Sequence, residues 1–120
     1  AGLIFMGREG RSKEELRAYA EKEYEVPTCN EIRPWYDFDE TCQGTMPAVF
    51  AAFFDSTDFE DAIRNAISVG GDSDTVAAIT GSIAEGFYGV PNALWEQARQ
   101  FLPLRLDNVV RAFYERYDLN

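Results

Sequence analysis

The run Ala48-Val49-Phe50-Ala51-Ala52-Phe53-Phe54 is apolar without interruption, with Thr45 and Pro47 before it and Asp55-Ser56 after it. Wound into a helix, it has no polar face to turn toward water. A helix that is apolar all round has to be enclosed by other elements, so this segment is expected to be the central buried helix of a core. Thr45 and Pro47 open it, since proline is tolerated in a first helical turn. The longest apolar stretch, Met46 to Phe54, is far short of the ~20 residues that cross a bilayer, so no membrane partner is expected.

Punctuation around this segment predicts further helices. Ser12-Lys13-Glu14-Glu15 has the spacing of a capping box, in which hydroxyl and carboxylate satisfy each other's backbone N–H, and a helix should run to about Tyr24. Pro27 and Pro34 make residues 26–44 mostly irregular. Thr57-Asp58-Phe59-Glu60 reads as a second capping box. After it Phe59, Ala62, Ile63, Ala66 and Ile67 recur at helical spacing. Gly70-Gly71 stops that helix. Residues 72–88 form another, whose small residues (Ala77, Ala78, Gly81, Ala84, Gly86) allow close approach to neighbours. Pro91 starts a helix to about Phe101. Leu106, Val109, Val110, Phe113, Tyr114 and Tyr117 mark a last amphipathic one. Residues 1–9 read as the end of a truncated helix. No stretch alternates with period two, so the expectation is an all-α bundle of about five to six helices in a single domain, 1–120.

Composition narrows the function. The chain has 120 residues, 46% of them apolar and 14% aromatic, and a net charge of −10, which is globular and not disordered. A pI near 4.3 leaves no basic face for a nucleic-acid backbone. There is no histidine, which rules out Ser-His-Asp and Cys-His catalysis within this chain and every His-ligated metal site. Two cysteines, Cys29 and Cys42, cannot form a four-thiolate zinc site. They read as free thiols of a reducing compartment, the cytoplasm.

The segment richest in chemistry is Gly70-Gly71-Asp72-Ser73-Asp74-Thr75. Two glycines permit a sharp turn, and two carboxylates and a hydroxyl follow at a helix start. On a regular helix Asp72 and Asp74 point about 200° apart; at a helix start the first is still non-helical, and both can converge. Hard oxygens of this kind suit Mg²⁺, Mn²⁺ or Ca²⁺ and not zinc. An EF-hand is excluded by Ala77 and Ile83 at its sixth and twelfth positions. The competing reading is a capping device, because Asp and Ser are ordinary N-caps. Three other features have a functional and a plain reading. Cys42 is a reactive thiol or loop filler. Trp35-Tyr36-Phe38 stacks an adenine or caps the core. The acidic residues Asp37, Asp39 and Glu40 supply further ligands or form a solvated loop.

The block from Gly70 to Gly81, continued by Phe87-Tyr88-Gly89 and Pro91, resembles the C-terminal signature of the ADP-ribosylglycohydrolase family, which includes the dinitrogenase reductase-activating glycohydrolases. Ile32-Arg33, the stretch Asp39 to Pro47, the stretch Ser56 to Ile63 and Ser12 to Glu15 are similar to the segments that precede it in bacterial members. The resemblance implies an all-α fold and metal-dependent hydrolysis of the bond between ADP-ribose and a protein side chain or small acceptor. It implies a two-ion Mg²⁺ or Mn²⁺ site with Asp72, Asp74 and Thr75 as ligands, Asp74 being the best candidate to bridge.

Members of the family carry further ligands in an N-terminal Thr-Asp-Asp segment, together with a catalytic acidic residue. This chain has no match to that segment; its other Thr-Asp, Thr57-Asp58, belongs to a helix start. The resemblance therefore implies the C-terminal half of such a hydrolase, with little or no activity alone. The partners implied are ADP-ribose or an ADP-ribosylated substrate and a complementary N-terminal half. The alternative is a non-catalytic helical remnant that forms a homo-oligomer or binds a partner through its central helices, Ala48–Phe54 and Thr75–Tyr88.

Overall fold

A computed structural model describes residues 1–117. Among them are eight α-helices and no strand. The two helices beyond the expected number are α1 (Gly2–Arg8), in the segment read as a helix end, and the four-residue α3 (Cys29–Ile32). The others are α2 (Lys13–Ala20), α4 (Cys42–Phe54), α5 (Phe59–Val69), α6 (Ser73–Tyr88), α7 (Asn92–Arg99) and α8 (Leu104–Tyr117). The sequence reads as one domain; the backbone divides into two compact units, Ala1–Gly89 and Val90–Asn120. The division falls between Gly89, at φ +76°, and Pro91, where neither residue continues a helix.

The first unit is built around α4. Every residue from Ala48 to Phe54 is buried, as a helix without a polar face requires. This corrects the expectation that the segment presents a contact surface to a partner. Helix α6 packs against α5, α1 and α4, and its small residues set how near they come. A Cβ on Gly7 of α1 would lie 2.9 Å from the carbonyl carbon of Gly86, and one on Gly86 would lie 3.0 Å from the carbonyl oxygen of Ile4. The two helices cross backbone against backbone.

The ends of α4 differ from expectation. It starts at Cys42, three residues early, because the Thr41 hydroxyl accepts the Gly44 N–H at 3.1 Å. Pro47 therefore lies inside the helix, not in its first turn. At the other end the Lys13 ammonium donates to the carbonyl oxygens of Phe54 and Ser56. It also stands over the rings of Phe53 and Tyr88, 5.2 Å from each centroid. A cation at a helix C-terminus satisfies unpaired carbonyls and complements the dipole.

The Ser12 capping box forms as expected, with Glu15 N–H on Ser12 Oγ at 3.2 Å and Ser12 N–H on Glu15 Oε2 at 2.9 Å. Helix α2 nevertheless ends at Ala20, not Tyr24. Glu21, Glu23 and Glu25 would put negative charge at its C-terminus, against the dipole. Residues 26–44 contain one helical turn not expected there, because Thr28-Cys29-Asn30-Glu31 is itself a capping box. The next box is shifted by one residue: Asp58, not Thr57, caps α5 by accepting Asp61 N–H at 2.8 Å. The buried face of α5 runs through Ala62, Ala66 and Val69, which leaves Ile67 52% exposed.

In the second unit neither α7 nor α8 has a buried residue. The two helices are joined by stacking of Trp95 on Tyr114, with centroids 5.1 Å apart, and by a carboxylate held between two guanidinium groups. Arg99 donates to both oxygens of Asp107, at 2.7 and 3.0 Å, and Arg111 Nε donates at 2.8 Å. The hydrogen bonds from Arg99 and then Arg111 pull the Asp107 carboxyl down to about 2. A groove beside Trp95, Arg99 and Tyr114 lies in this unit.

Candidate metal-binding site

Gly70 and Gly71 both hold positive φ, +88° and +69°. They turn the chain from the end of α5 into the start of α6, and Asp72 becomes the N-cap of α6, with ψ at 72°. Because Asp72 is not yet helical, its carboxyl meets that of Asp74 despite the i, i+2 spacing. The neighbouring Asp72 side chain, followed by the Thr75 N–H at 3.0 Å, holds the Asp74 carboxyl below the usual carboxylate range. Asp72 is half-buried; Asp74 and Thr75 are exposed at the same helix start.

The position of Asp72 separates the two readings of this segment. An N-cap aspartate ordinarily accepts a backbone N–H two or three residues on. Ser12, Thr28, Thr41 and Asp58 all do so in this chain. Asp72 makes no side-chain capping bond. Its side chain neighbours that of Asp74 instead, and two adjacent carboxyl groups can share a hard cation. The donor set of Asp72, Asp74 and Thr75 fits a hard divalent cation as part of a coordination shell. Among the described residues no three carboxylates or thiolates come together as a metal cluster, so these residues would be a partial ligand set.

The acidic loop does not complete it. Asp37 Oδ1 accepts Phe38 N–H at 2.7 Å, and Asp39 Oδ1 accepts both the Thr41 N–H, at 2.8 Å, and its hydroxyl, at 2.6 Å. These are turn-stabilising bonds of the solvated-loop kind. The aromatic trio divides. Tyr36 packs on the core, while Trp35 and Phe38 are 66% and 62% exposed. Cys42 is an exposed free thiol at the start of α4, and Cys29 is buried. Burial, then the Asp55 carboxylate, raises the Cys29 thiol to about 11.

Sequence spacing does not reveal the neighbour of the glycine turn. The Tyr36 ring lies on Gly71, where a Cβ would stand 2.6 Å from Tyr36 Cε1 and 3.0 Å from the Asp37 carbonyl oxygen. A separate apolar groove of about 380 Å³, lined by residues that include Tyr19, Tyr24, Met46, Phe50 and Ile79, includes neither Asp72 nor Asp74.

The fold and this helix start define an all-α domain that carries an acidic, glycine-led turn on its most heavily packed helix. The family model for ADP-ribosylglycohydrolase matches residues 7–120, and the chain belongs to that family. It is 39% identical over 61 residues to an uncharacterized protein of Archaeoglobus fulgidus, a match covering 48% of this chain and 20% of that relative. The matched stretch is thus a fifth of the relative's length. No solved structure matches the chain. Among the described residues no helix is long and apolar enough to cross a membrane.

Proposed function

We propose that this chain supplies the helix-start half of a metal site in a hydrolase of ADP-ribose linkages. Asp72 and Asp74 would hold Mg²⁺ or Mn²⁺, with Thr75 adding a hydroxyl oxygen and Asp74 the candidate to serve two ions. The observation that carries this reading is the uncommitted N-cap: the Asp72 carboxylate forgoes the capping bond that Asp58 makes, at the same helix start as Asp74 and Thr75. When bound, the ions would stabilise developing charge and orient ribose hydroxyls and a water. The chain's own part is to fix two carboxylates on the rigid start of α6.

Three oxygens leave an octahedral ion incomplete, so the chain alone should turn over little or no ADP-ribosylated substrate. A complementary N-terminal half would complete the site. The free thiols Cys29 and Cys42 suit a reducing cytoplasm. A calorimetric Mn²⁺ titration, with and without ADP-ribose, tests the reading. Saturable binding that ADP-ribose strengthens and Asp74→Asn abolishes is expected. Absence of Mn²⁺ binding would overturn the reading.

A second reading, a non-catalytic module that associates with copies of itself or with another chain, draws on one observation. Leu106, Val109, Phe113 and Tyr117 lie along α8 at helical spacing and are 43–63% exposed. Multi-angle light scattering tests it: a concentration-dependent dimer supports self-association, and a strict monomer removes it.

A further inference from the structure

Helix α2 is fastened to the rest of the first unit through little of its surface. It buries two residues, Leu16 and Ala20. Its ion pairs, Arg11–Glu15 and Arg17–Glu21, lie within its own segment. It is bounded by Gly10, at φ +76°, and by the non-helical stretch from Glu21 to Thr28. Among the described residues, one side-chain donor in 11–25 hydrogen-bonds beyond that segment, the Lys13 ammonium.

The ammonium enters a cup made by other elements. Phe54 ends α4, so its carbonyl has no partner inside that helix, and the Ser56 carbonyl stands beside it; both accept from Lys13. The Tyr88 hydroxyl also donates to the Ser56 carbonyl, at 2.9 Å, and fixes it in place. The rings of Phe53, Tyr88 and Phe87 lie 5.2, 5.2 and 6.0 Å from the nitrogen. Carbonyl oxygens and ring faces both attract a cation. A neutral side chain in its place would leave the carbonyls unpaired. The opposite end of α2 contributes Tyr19 and Ala20 to the wall of the apolar groove that Phe50 and Ile83 also line.

We propose that α2 is a strap held shut by one cation: Lys13 is the latch, and when its ammonium leaves the cup α2 undocks as a whole, taking one wall of the groove with it. The charge makes the latch, not the aliphatic stem. Segments with few buried contacts open locally, at a free energy below that of global unfolding. Loss of the latch should therefore act on α2 and spare α5 and α6.

The test is amide hydrogen exchange of the whole chain, read by mass spectrometry, for the wild type, Lys13→Met and Arg17→Met. Binding of the apolar dye anilinonaphthalene sulfonate is followed alongside. Methionine keeps an unbranched stem and loses the charge. Arg17 lies over the Phe54 ring, 4.8 Å from its centroid, and pairs with Glu21 of its own segment, so it controls for loss of a cation from the same helix. In Lys13→Met the α2 amides should exchange at least about tenfold faster, with α5 and α6 at wild-type rates and dye fluorescence raised. Wild-type exchange of α2 in Lys13→Met would overturn the latch. Equal acceleration of α2, α5 and α6 would be general loss of stability and would overturn the strap. Equal acceleration of α2 in Arg17→Met would overturn the particular role of Lys13. Faster α2 exchange without a rise in dye fluorescence would overturn the opening of the groove.

Discussion

Residues 1–89 and residues 90–120 are held together by different physics. In the first region seven basic residues face seventeen acidic ones, which is the whole of the chain's net charge of −10. That region closes over Ala48–Phe54, and Phe53 is fully buried among the rings of Phe54, Phe87 and Tyr88. In the second region four arginines balance four carboxylates, and no residue of α7 or α8 is buried. Among its described residues the Trp95–Tyr114 stack and the Arg99–Asp107–Arg111 arrangement join the two helices. Charge is tolerated where a sealed core outweighs it, and polar pairing carries more of the load where the core is missing. The two regions should therefore fail under different insults.

Truncation of the core is the largest expected blow. Phe53→Ala removes a fully buried ring and should cost about 3–5 kcal/mol of unfolding free energy, measured by urea denaturation. The two tryptophans fall one in each region, Trp35 and Trp95, so Trp35→Phe leaves Trp95 emission as a reporter of the second. A Trp95 transition that moved with the core would break the comparison.

A gentler change sharpens it. Gly7→Ala places a methyl group 2.9 Å from the Gly86 carbonyl carbon and 3.0 Å from the Phe87 nitrogen, backbone atoms that cannot swing aside. The α1–α6 crossing should loosen at a cost of about 1–3 kcal/mol, seen as a lower urea midpoint and faster amide exchange in α1.

The smallest effect should come from acid, and it should fall on the second region. Asp107 sits near 2 in the folded chain and ~3.9 when unfolded. A depressed carboxyl pKa contributes stability that is present above the unfolded value and lost as pH falls through the folded one. Trp95 emission should therefore report loosening between about pH 4 and pH 2, and Asp107→Asn should remove that pH dependence.

The features legible in the sequence were those written in local spacing. The Ser12 box, the enclosed character of Ala48–Phe54, the stop at Gly70-Gly71 and the small-residue face of α6 each depend on a few neighbouring residues. The start of α4 was misplaced because Pro47 was read as a first-turn marker, when Thr41 had already capped the helix. Thr57 and Asp58 compete for one cap, and spacing alone does not decide between two adjacent oxygens. At the candidate site, the motif and its two carboxylates were visible. That Asp72 forgoes capping was not, because it follows from backbone torsion at Gly71. The covering of that turn by Tyr36 is a tertiary contact, and no periodicity encodes it.

The environment of Lys13 has a practical corollary. The chain contains two lysines, Lys13 and Lys22. The first has its ammonium enclosed by the carbonyls of Phe54 and Ser56 and by aromatic faces; the second is exposed. Amine-directed conjugation of the folded protein is thereby confined, among side chains, to one address. A tether or fluorophore attached through Lys22 would come off the turn after α2, with the acidic start of α6 left unmodified.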